Sequence, residues 1–159
     1  MYLSDKDILE EMRKGNLSIT PFNPDHLTPN GYDLSILIYD ELEQTYRNYN
    51  LFLVNPNDFI KVGSLETITL GKDLIGFMFL RSKYSREGLT GNFAVIDAGF
   101  SGQIKASIKH NGDKPITLEP LDGVIHLVIA RLENPASQPY GGKKSHYQYQ
   151  KVEAVSALQ

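Results

Sequence analysis

Short apolar stretches, rich in β-branched and aromatic residues, alternate with turn-forming Gly, Pro, Asn and Asp along most of the chain. This pattern is typical of short strands joined by tight connections, and it predicts an all-β barrel or sandwich. The predicted strands cover residues 17–20, 32–38, 51–54, 66–70, 75–80, 93–96, 103–109 and 124–132. Strict alternation is clearest in residues 103–109, where Ile104 and Ile108 face one way while Lys105 and Ser107 face the other.

The two ends of the chain depart from this pattern. Near the N-terminus, Ser4 is a suitable N-cap, Ile8 and Met12 lie one turn apart, and Gly15 is suited to end a short helix. From Asn134 onward the chain is polar and rich in Gly, Tyr and Lys. We therefore expect one β-barrel domain with its N-terminal helix over residues 1–133, and a C-terminal arm over residues 134–159.

Length and composition narrow the possible functions. A chain of 159 residues is long enough for one domain with a hydrophobic core. Cysteine is absent, which excludes disulfides, thiolate catalysis and cysteine metal sites and fits a reducing cytoplasm. A net charge of −3 argues against a basic nucleic-acid surface, and no segment has the length of a signal peptide or membrane span. We expect a cytoplasmic protein without nucleic-acid or membrane partners.

Residues 93–104 carry the strongest indication of chemistry. Asp97 follows an apolar run and precedes a glycine turn, where a carboxylate is held rigidly beside backbone that a ligand can approach closely. A carboxylate in such a position is suited to act as a general base or as the partner of a metal-bound water. Asp97 is therefore the first candidate for catalysis.

Two other groups place charge beside turns. The first occupies six residues after an apolar strand and contains Arg81, Ser82, Lys83 and Arg86. It forms either a cradle for polyphosphate or a solvated turn. Asp33 begins a strand beside a glycine, and it either contacts hydrated Mg²⁺ through water or accepts hydrogen bonds from turn amides.

The histidines and the tyrosines of the arm are less specific. His126 lies within an apolar strand without a partner at zinc-ligand spacing, so we expect a packed, hydrogen-bonded histidine. His146 is able to reach a phosphate if the arm folds over a site. Tyr140, Tyr147 and Tyr149 form either a stacking lid or a patch that docks the arm. Asp, Arg, Ser and Lys around a polyphosphate are suited to metal-assisted hydrolysis.

Several segments in the same order resemble the dUTPase / dCTP deaminase superfamily over nearly the whole chain. They are residues 1–8 with 17–21, 29–34, 81–89, 95–102 and 120–128, followed by the arm. The resemblance implies a distorted β-barrel or jelly-roll of the dUTPase type. It also implies a homotrimer with active sites between subunits.

The resemblance further implies roles for individual residues. Asp97 would activate water, Mg²⁺ would bridge the phosphates of a deoxyuridine or deoxycytidine triphosphate, and Phe100 would pack against the deoxyribose. Asn92 would contact the base edge. Tyr140, His146 and Gln150 would close over the triphosphate held by the arginine-containing segment.

Two positions depart from the family pattern. His126 stands where the family usually has glutamine, and Ser107 stands where the deaminases have a catalytic glutamate. A serine cannot shuttle the proton that removal of the 4-amino group requires. The favoured interpretation is therefore a dUTP diphosphatase that forms dUMP and pyrophosphate. The alternatives are a dCTP deaminase, forming dUTP or going on to dUMP, and a non-catalytic relative that binds a nucleotide or a protein.

Overall fold

The structure, a computed structural model, describes residues 1–142 and 145–152, together with the backbone of residues 154–158. Its helices are α1 (Asp5–Arg13) and α2 (Ser82–Ser85), with short 3-10 turns at Pro24–His26 and Pro120–Asp122. The strands are β1 (Leu17–Thr20), β2 (Leu27–Thr28), β3 (Gly31–Leu34), β4 (Ile36–Asp40), β5 (Thr45–Tyr49), β6 (Phe52–Val54), β7 (Phe59–Leu70), β8 (Leu74–Leu80), β9 (Leu89–Asn92), β10 (Ser101–His110), β11 (Ile116–Leu118), β12 (Ile125–Arg131) and β13 (Ala154–Leu158).

Within the described residues these strands form three sheets. The largest has the order β13-β5-β4-β7-β10-β9, with β1 paired to β7; the second has the order β2-β3-β12-β8, and β6 pairs with β11. Every pairing is antiparallel except that of β13 with β5, which is parallel. This mostly β architecture confirms the predicted fold class.

The core lies between the sheets and is filled by alternate strand residues. In β12, Ile125, Leu127 and Ile129 are buried, while the residues between them are partly exposed. Helix α1 begins with a capping box, in which the Ser4 side chain accepts from the Asp7 amide and the Asp7 carboxylate accepts from the Ser4 amide. The predicted N-terminal helix is thus confirmed.

Two predicted strands are not continuous strands in the structure. Residues 93–96 are not a strand, because only Ile96 pairs, exchanging backbone hydrogen bonds with Gly76 at 2.9 and 3.0 Å. The predicted strand at residues 32–38 is interrupted at Ser35, since the chain there leaves the sheet of β12 and enters the sheet of β7. At this crossing the Ser35 amide donates to the buried carboxylate of Glu66.

Among the described residues, no helix combines the length and the apolar character needed to cross a membrane.

Candidate active site

A cavity of about 630 Å³ lies beside the turn that carries Asp97. Its lining residues are Met78, Ala94, Val95, Ile96, Asp97, Phe100, Ile104, Lys105, Tyr140, His146, Tyr147 and Gln150. Asp97 is exposed there, whereas Phe100 is buried. The site therefore combines a solvated carboxylate with an apolar wall and a set of polar side chains from the arm.

The backbone around Asp97 is held on both sides. On one side, Ile96 and Gly76 of β8 exchange backbone hydrogen bonds. On the other side, the Phe100 amide donates to the Asp97 carbonyl at 3.1 Å. Gly99, between them, has a φ of +88°, a conformation that residues with a Cβ rarely adopt. The turn therefore fixes the position of the Asp97 carboxylate relative to the cavity wall.

The pairing of β10 with β7 is irregular next to the cavity. Gln103 pairs with Thr67 but Lys105 pairs with Gly63, so residues 64–66 of β7 lie opposite Ile104 alone. The Ile104 amide, left without a strand partner, donates to the Ser64 hydroxyl at 2.8 Å. Both Ile104 and Lys105 line the cavity, although consecutive strand residues ordinarily point to opposite faces.

The arm lies across this cavity in the same chain. Tyr140 packs edge-on against Phe100 with ring centres 5.5 Å apart. The Tyr140 hydroxyl accepts hydrogen bonds from the amides of His146 and Tyr147 at 3.1 and 2.7 Å. Three residues predicted to close over a ligand, Tyr140, His146 and Gln150, are thereby brought into one cavity with Asp97.

Further along, the arm pairs with the beginning of β10. The Gln103 amide donates to the Gln150 carbonyl at 2.8 Å, and the Gln150 side chain donates to the Gln103 carbonyl at 2.8 Å. The Gln103 side chain accepts from the Val152 amide at 2.6 Å. Val152 lies over Gly63, where a Cβ would come within 2.5 Å of its methyl carbon, so glycine is needed for the arm to pass.

The second predicted group of residues forms a separate cluster. Asp33 and His126 are directly opposite on β3 and β12, with Asp33 Oδ1 and His126 Nδ1 2.8 Å apart. Asp33 Oδ2 lies 3.2 Å from Arg81 Nε, and Arg81 also donates to the carbonyls of Asp122 and Gly123. This arrangement holds the guanidinium rigidly, and it gives His126 the hydrogen-bonded role that was predicted.

The rest of that segment is more open. Ser82 begins α2 immediately after Arg81, and Arg86 follows the helix as an exposed residue. Lys83 Nζ lies 3.2 Å from Glu119 Oε1, and this hydrogen bond raises the pKa of Lys83. The segment therefore presents cationic groups to solvent beside a fixed arginine.

The Asp33–Arg81 cluster lies beyond the C-terminal end of β8, whereas the Asp97 cavity adjoins Gly76 and Met78 within that strand. Gly76 is bonded to Ile96 near one end, and Arg81 directly follows the other end. Four residues of β8 lie between Gly76 and Arg81, and the five steps along extended strand correspond to roughly 17 Å between these two residues. Accordingly, none of the predicted residues at positions 33, 81, 82, 83 and 86 lines the Asp97 cavity.

The residues predicted to read the base also lie outside the cavity. Asn92 on β9 donates from its side chain to the Ser107 hydroxyl at 3.1 Å. This pair joins the two strands but neither residue is among those that line the cavity. Lys105 and Met78 also line the cavity, and for Met78 the sequence predicted no role.

Glu66 is a further buried acid that the sequence did not single out. It is 2% exposed and accepts from the Ser35 amide through both carboxylate oxygens at 3.1 Å. Burial is the main cause that raises the pKa of Glu66 to about 7, against the hydrogen bonds from Ser35, which lower it.

Known dUTPases and dCTP deaminases resemble this chain over nearly its whole length. Residues 40–132 match a family model described as dCTP deaminase-like. A probable deoxyuridine 5'-triphosphate nucleotidohydrolase from Sulfolobus islandicus rod-shaped virus 1 is 34% identical, over 98% of this chain and 97% of the viral one. A dCTP deaminase from Staphylothermus marinus is 33% identical over the same shares of the two chains.

Solved structures resemble the fold at lower identity. A 2'-deoxycytidine 5'-triphosphate deaminase from Agrobacterium tumefaciens has a TM-score of 0.65 at 15% identity, covering 82% of this chain and 46% of that one. A mutant dUTPase from phage phi11 of S. aureus has a TM-score of 0.52 at 15% identity, covering 80% of this chain and 98% of that one. That phage structure is described as coordinating a structural Mg(II) ion.

Proposed function

From the premise that this chain belongs to the dCTP deaminase-like family of dUTPases and dCTP deaminases, we propose that it hydrolyses dUTP to dUMP and pyrophosphate. The observation that carries the proposal is the cavity around Asp97. Asp97 is the one carboxylate among the described residues that line it. Ser107, at the position of the deaminase glutamate, bonds to Asn92 outside the cavity and offers no acid–base group.

The proposed step uses the exposed carboxylate as a general base. Asp97 accepts a proton from a water molecule, and the water oxygen forms a bond to the α-phosphorus. The bond from the α-phosphorus to the α–β bridging oxygen breaks, and the electron pair leaves with pyrophosphate. The hydrogen-bonded turn that holds Asp97 supports this role, because a base must be positioned before it reacts.

Phe100 and the arm would hold the nucleoside. The Phe100 ring forms part of the cavity wall and is fixed by its edge-on contact with Tyr140. A ring packed against the deoxyribose leaves no space for a ribose 2'-hydroxyl. Tyr140, His146 and Gln150 would then exclude bulk water from the reacting phosphate.

The phosphate-binding residues would come from a neighbouring subunit. Arg81 lies roughly 17 Å from the Gly76 contact with the Asp97 turn, measured along extended strand. Assembly of copies around a symmetry axis would bring the Arg81 segment of one chain to the Asp97 cavity of the next. We therefore propose a homotrimer with intersubunit active sites, in which Arg81, Ser82, Lys83 and Arg86 bind the triphosphate.

The proposed cofactor is Mg²⁺, bound through water at Asp33. Mg²⁺ retains several waters and requires few protein ligands, and Asp33 is a single carboxylate fixed by Arg81 and His126. When bound, the ion would neutralise phosphate charge. Asp33 would contribute by orienting its water shell while keeping Arg81 in place.

The family relationship alone leaves dCTP deamination as the second candidate, because the Staphylothermus marinus relative is named a dCTP deaminase. The test incubates the full-length protein with dUTP or dCTP and Mg²⁺, and measures pyrophosphate and ammonia. We expect pyrophosphate from dUTP alone. Ammonia from dCTP would refute dUTP hydrolysis as the sole activity, and no product from either would favour a non-catalytic binding protein.

An Asp97→Asn variant tests the catalytic assignment. It should lose turnover by several orders of magnitude while it still binds dUTP, because the amide keeps the shape but cannot accept the proton. The matched control is Asp113→Asn, an exposed acid on a turn away from the cavity. Loss of nucleotide binding together with turnover would instead show that Asp97 is needed for structure.

A further inference from the structure

Lys105 is a cation in the Asp97 cavity that the proposed mechanism leaves unused. Its side chain lines the cavity with Asp97 and Ile104. The Lys105 Nζ atom also lies 5.6 Å from the ring centre of Tyr46, an arrangement in which the ring attracts the ammonium. Both contacts belong to the chain that supplies Asp97, so this cation does not depend on a neighbouring subunit.

The irregular pairing of β10 with β7 explains how Lys105 reaches the cavity. Ile104 packs in the buried wall, and the shift in register lets the next residue line the same space. Lys105 pairs with Gly63, and Val152 of the arm occupies the space over that glycine. Ser107 and Lys109, on the same face of β10, do not line the cavity.

A positive group at this place would favour the binding of a phosphoryl group beside Asp97. A phosphoryl group brought to Asp97 carries negative charge towards a carboxylate, and the two anions repel each other. Among the described residues lining the cavity, Lys105 alone carries an amine that is charged at neutral pH. A flexible lysine stem with three ammonium donors is suited to follow the oxygens of a phosphoryl group.

We propose that Lys105 is a phosphate-binding residue that contacts the α-phosphoryl oxygens of the nucleotide beside Asp97. The contact deepens the proposed function and rests on it for the identity of the nucleotide. Lys105 would supply one cation from the chain that holds the base, while the Arg81 segment of another chain binds the remaining phosphates. The cation would offset the charge of Asp97 during the approach of the substrate.

The test compares a ligand with one phosphate to the same ligand without it. Binding of dUMP and of deoxyuridine to the full-length protein is measured by calorimetry for the unmodified protein, Lys105→Met, Lys105→Arg and Lys109→Met. Lys109 is the matched control, because it lies on the same strand face but donates to the Asn57 carbonyl and does not line the cavity.

We expect Lys105→Met to weaken dUMP binding by roughly ten- to a hundredfold, the range of one charge-assisted hydrogen bond, and to leave deoxyuridine binding unchanged. Lys105→Arg should retain most of the dUMP affinity, and Lys109→Met should change neither ligand. Equal losses for both ligands, or no loss for either, would overturn the proposal. So would equal affinity of the unmodified protein for dUMP and deoxyuridine.

Release of pyrophosphate from dUTP by the unmodified protein is measured in parallel and reports on the proposed function alone. If the unmodified protein releases none while Lys105→Met still loses dUMP affinity selectively, dUTP hydrolysis is refuted and the phosphate contact stands. If the unmodified protein is active and Lys105→Met binds dUMP normally, the function stands and the Lys105 assignment is refuted.

Discussion

The buried carboxyl of Glu66 predicts that the stability of the fold depends on pH. Glu66 is 2% exposed, and burial raises its pKa from 4.5 to about 7. Ionisation therefore places a charge among apolar side chains, where its hydrogen bonds from Ser35 offset only part of the lost hydration. Replacing Glu66 with Gln removes the charge while it keeps the size of the side chain and an oxygen that accepts from the Ser35 amide.

The magnitude follows from the shift of the pKa. The difference between 7 and 4.5 is 2.5, and at 1.36 kcal/mol for each pH unit it corresponds to about 3 kcal/mol. Since the pKa is raised in the folded state, this contribution to stability is complete below pH 4.5 and is lost as the pH rises through 7. Relative to the unmodified protein, the Glu66→Gln variant should therefore gain up to about 3 kcal/mol between pH 4 and pH 8.

The assay is urea unfolding at a fixed protein concentration over this pH range, because any subunit association makes stability depend on concentration. An exposed acid, Glu133, supplies the control variant Glu133→Gln, which should not change the pH dependence. The reasoning is refuted if the unfolding free energies of Glu66→Gln and the unmodified protein remain parallel over the whole range.

Three further substitutions test the contacts of the arm and of the surface. Gly63→Val should displace Val152, because the new Cβ lies within 2.5 Å of a Val152 methyl carbon. The arm should then be cleaved faster by a protease while the barrel stays intact. An unchanged cleavage rate would contradict the contact between Val152 and Gly63. Gly99→Ala should lower the unfolding free energy by about 1–3 kcal/mol in thermal melts, since φ is +88° there; equal melting temperatures would contradict the strained turn. Lys83→Met should change the free energy of urea unfolding by less than about 1 kcal/mol, because its pair with Glu119 is exposed; a larger loss would show that the pair is structural.

The fold class was predictable because the buried strands carry clear alternation. The predicted strand at residues 103–109 lies within β10, and residues 17–20 coincide with β1. Strand β5 was not predicted, because its sequence is polar and aromatic and its residues are only partly buried. Residues 93–96 look like a strand from composition alone, but their apolar side chains line the cavity or fill the core instead of continuing a sheet.

The candidate site was predictable only where its residues are close in sequence or match a family motif. Asp97 and Phe100 are such residues, and the structure places both in the cavity. The place of Lys105 beside Asp97 depends on the shift in pairing between β10 and β7, which leaves no signal in a single sequence. The bond between Asp33 and His126 joins positions 93 residues apart, so only the register of β3 and β12 reveals it.

The distance along β8 between Arg81 and the Asp97 cavity has a consequence for mixtures of inactive variants. If each working site takes Asp97 from one chain and Arg81 from another, Asp97→Asn and an Arg81 variant fail for different reasons and can rescue each other. When equal amounts of the two variants exchange subunits at random, each site has a chance of one half of containing the native Asp97 and a chance of one half of containing the native Arg81. Both are therefore present in about one quarter of the sites. Two preparations that are inactive alone would then regain activity on mixing. Catalytic activity would in that case be a property of the assembly and not of a single chain.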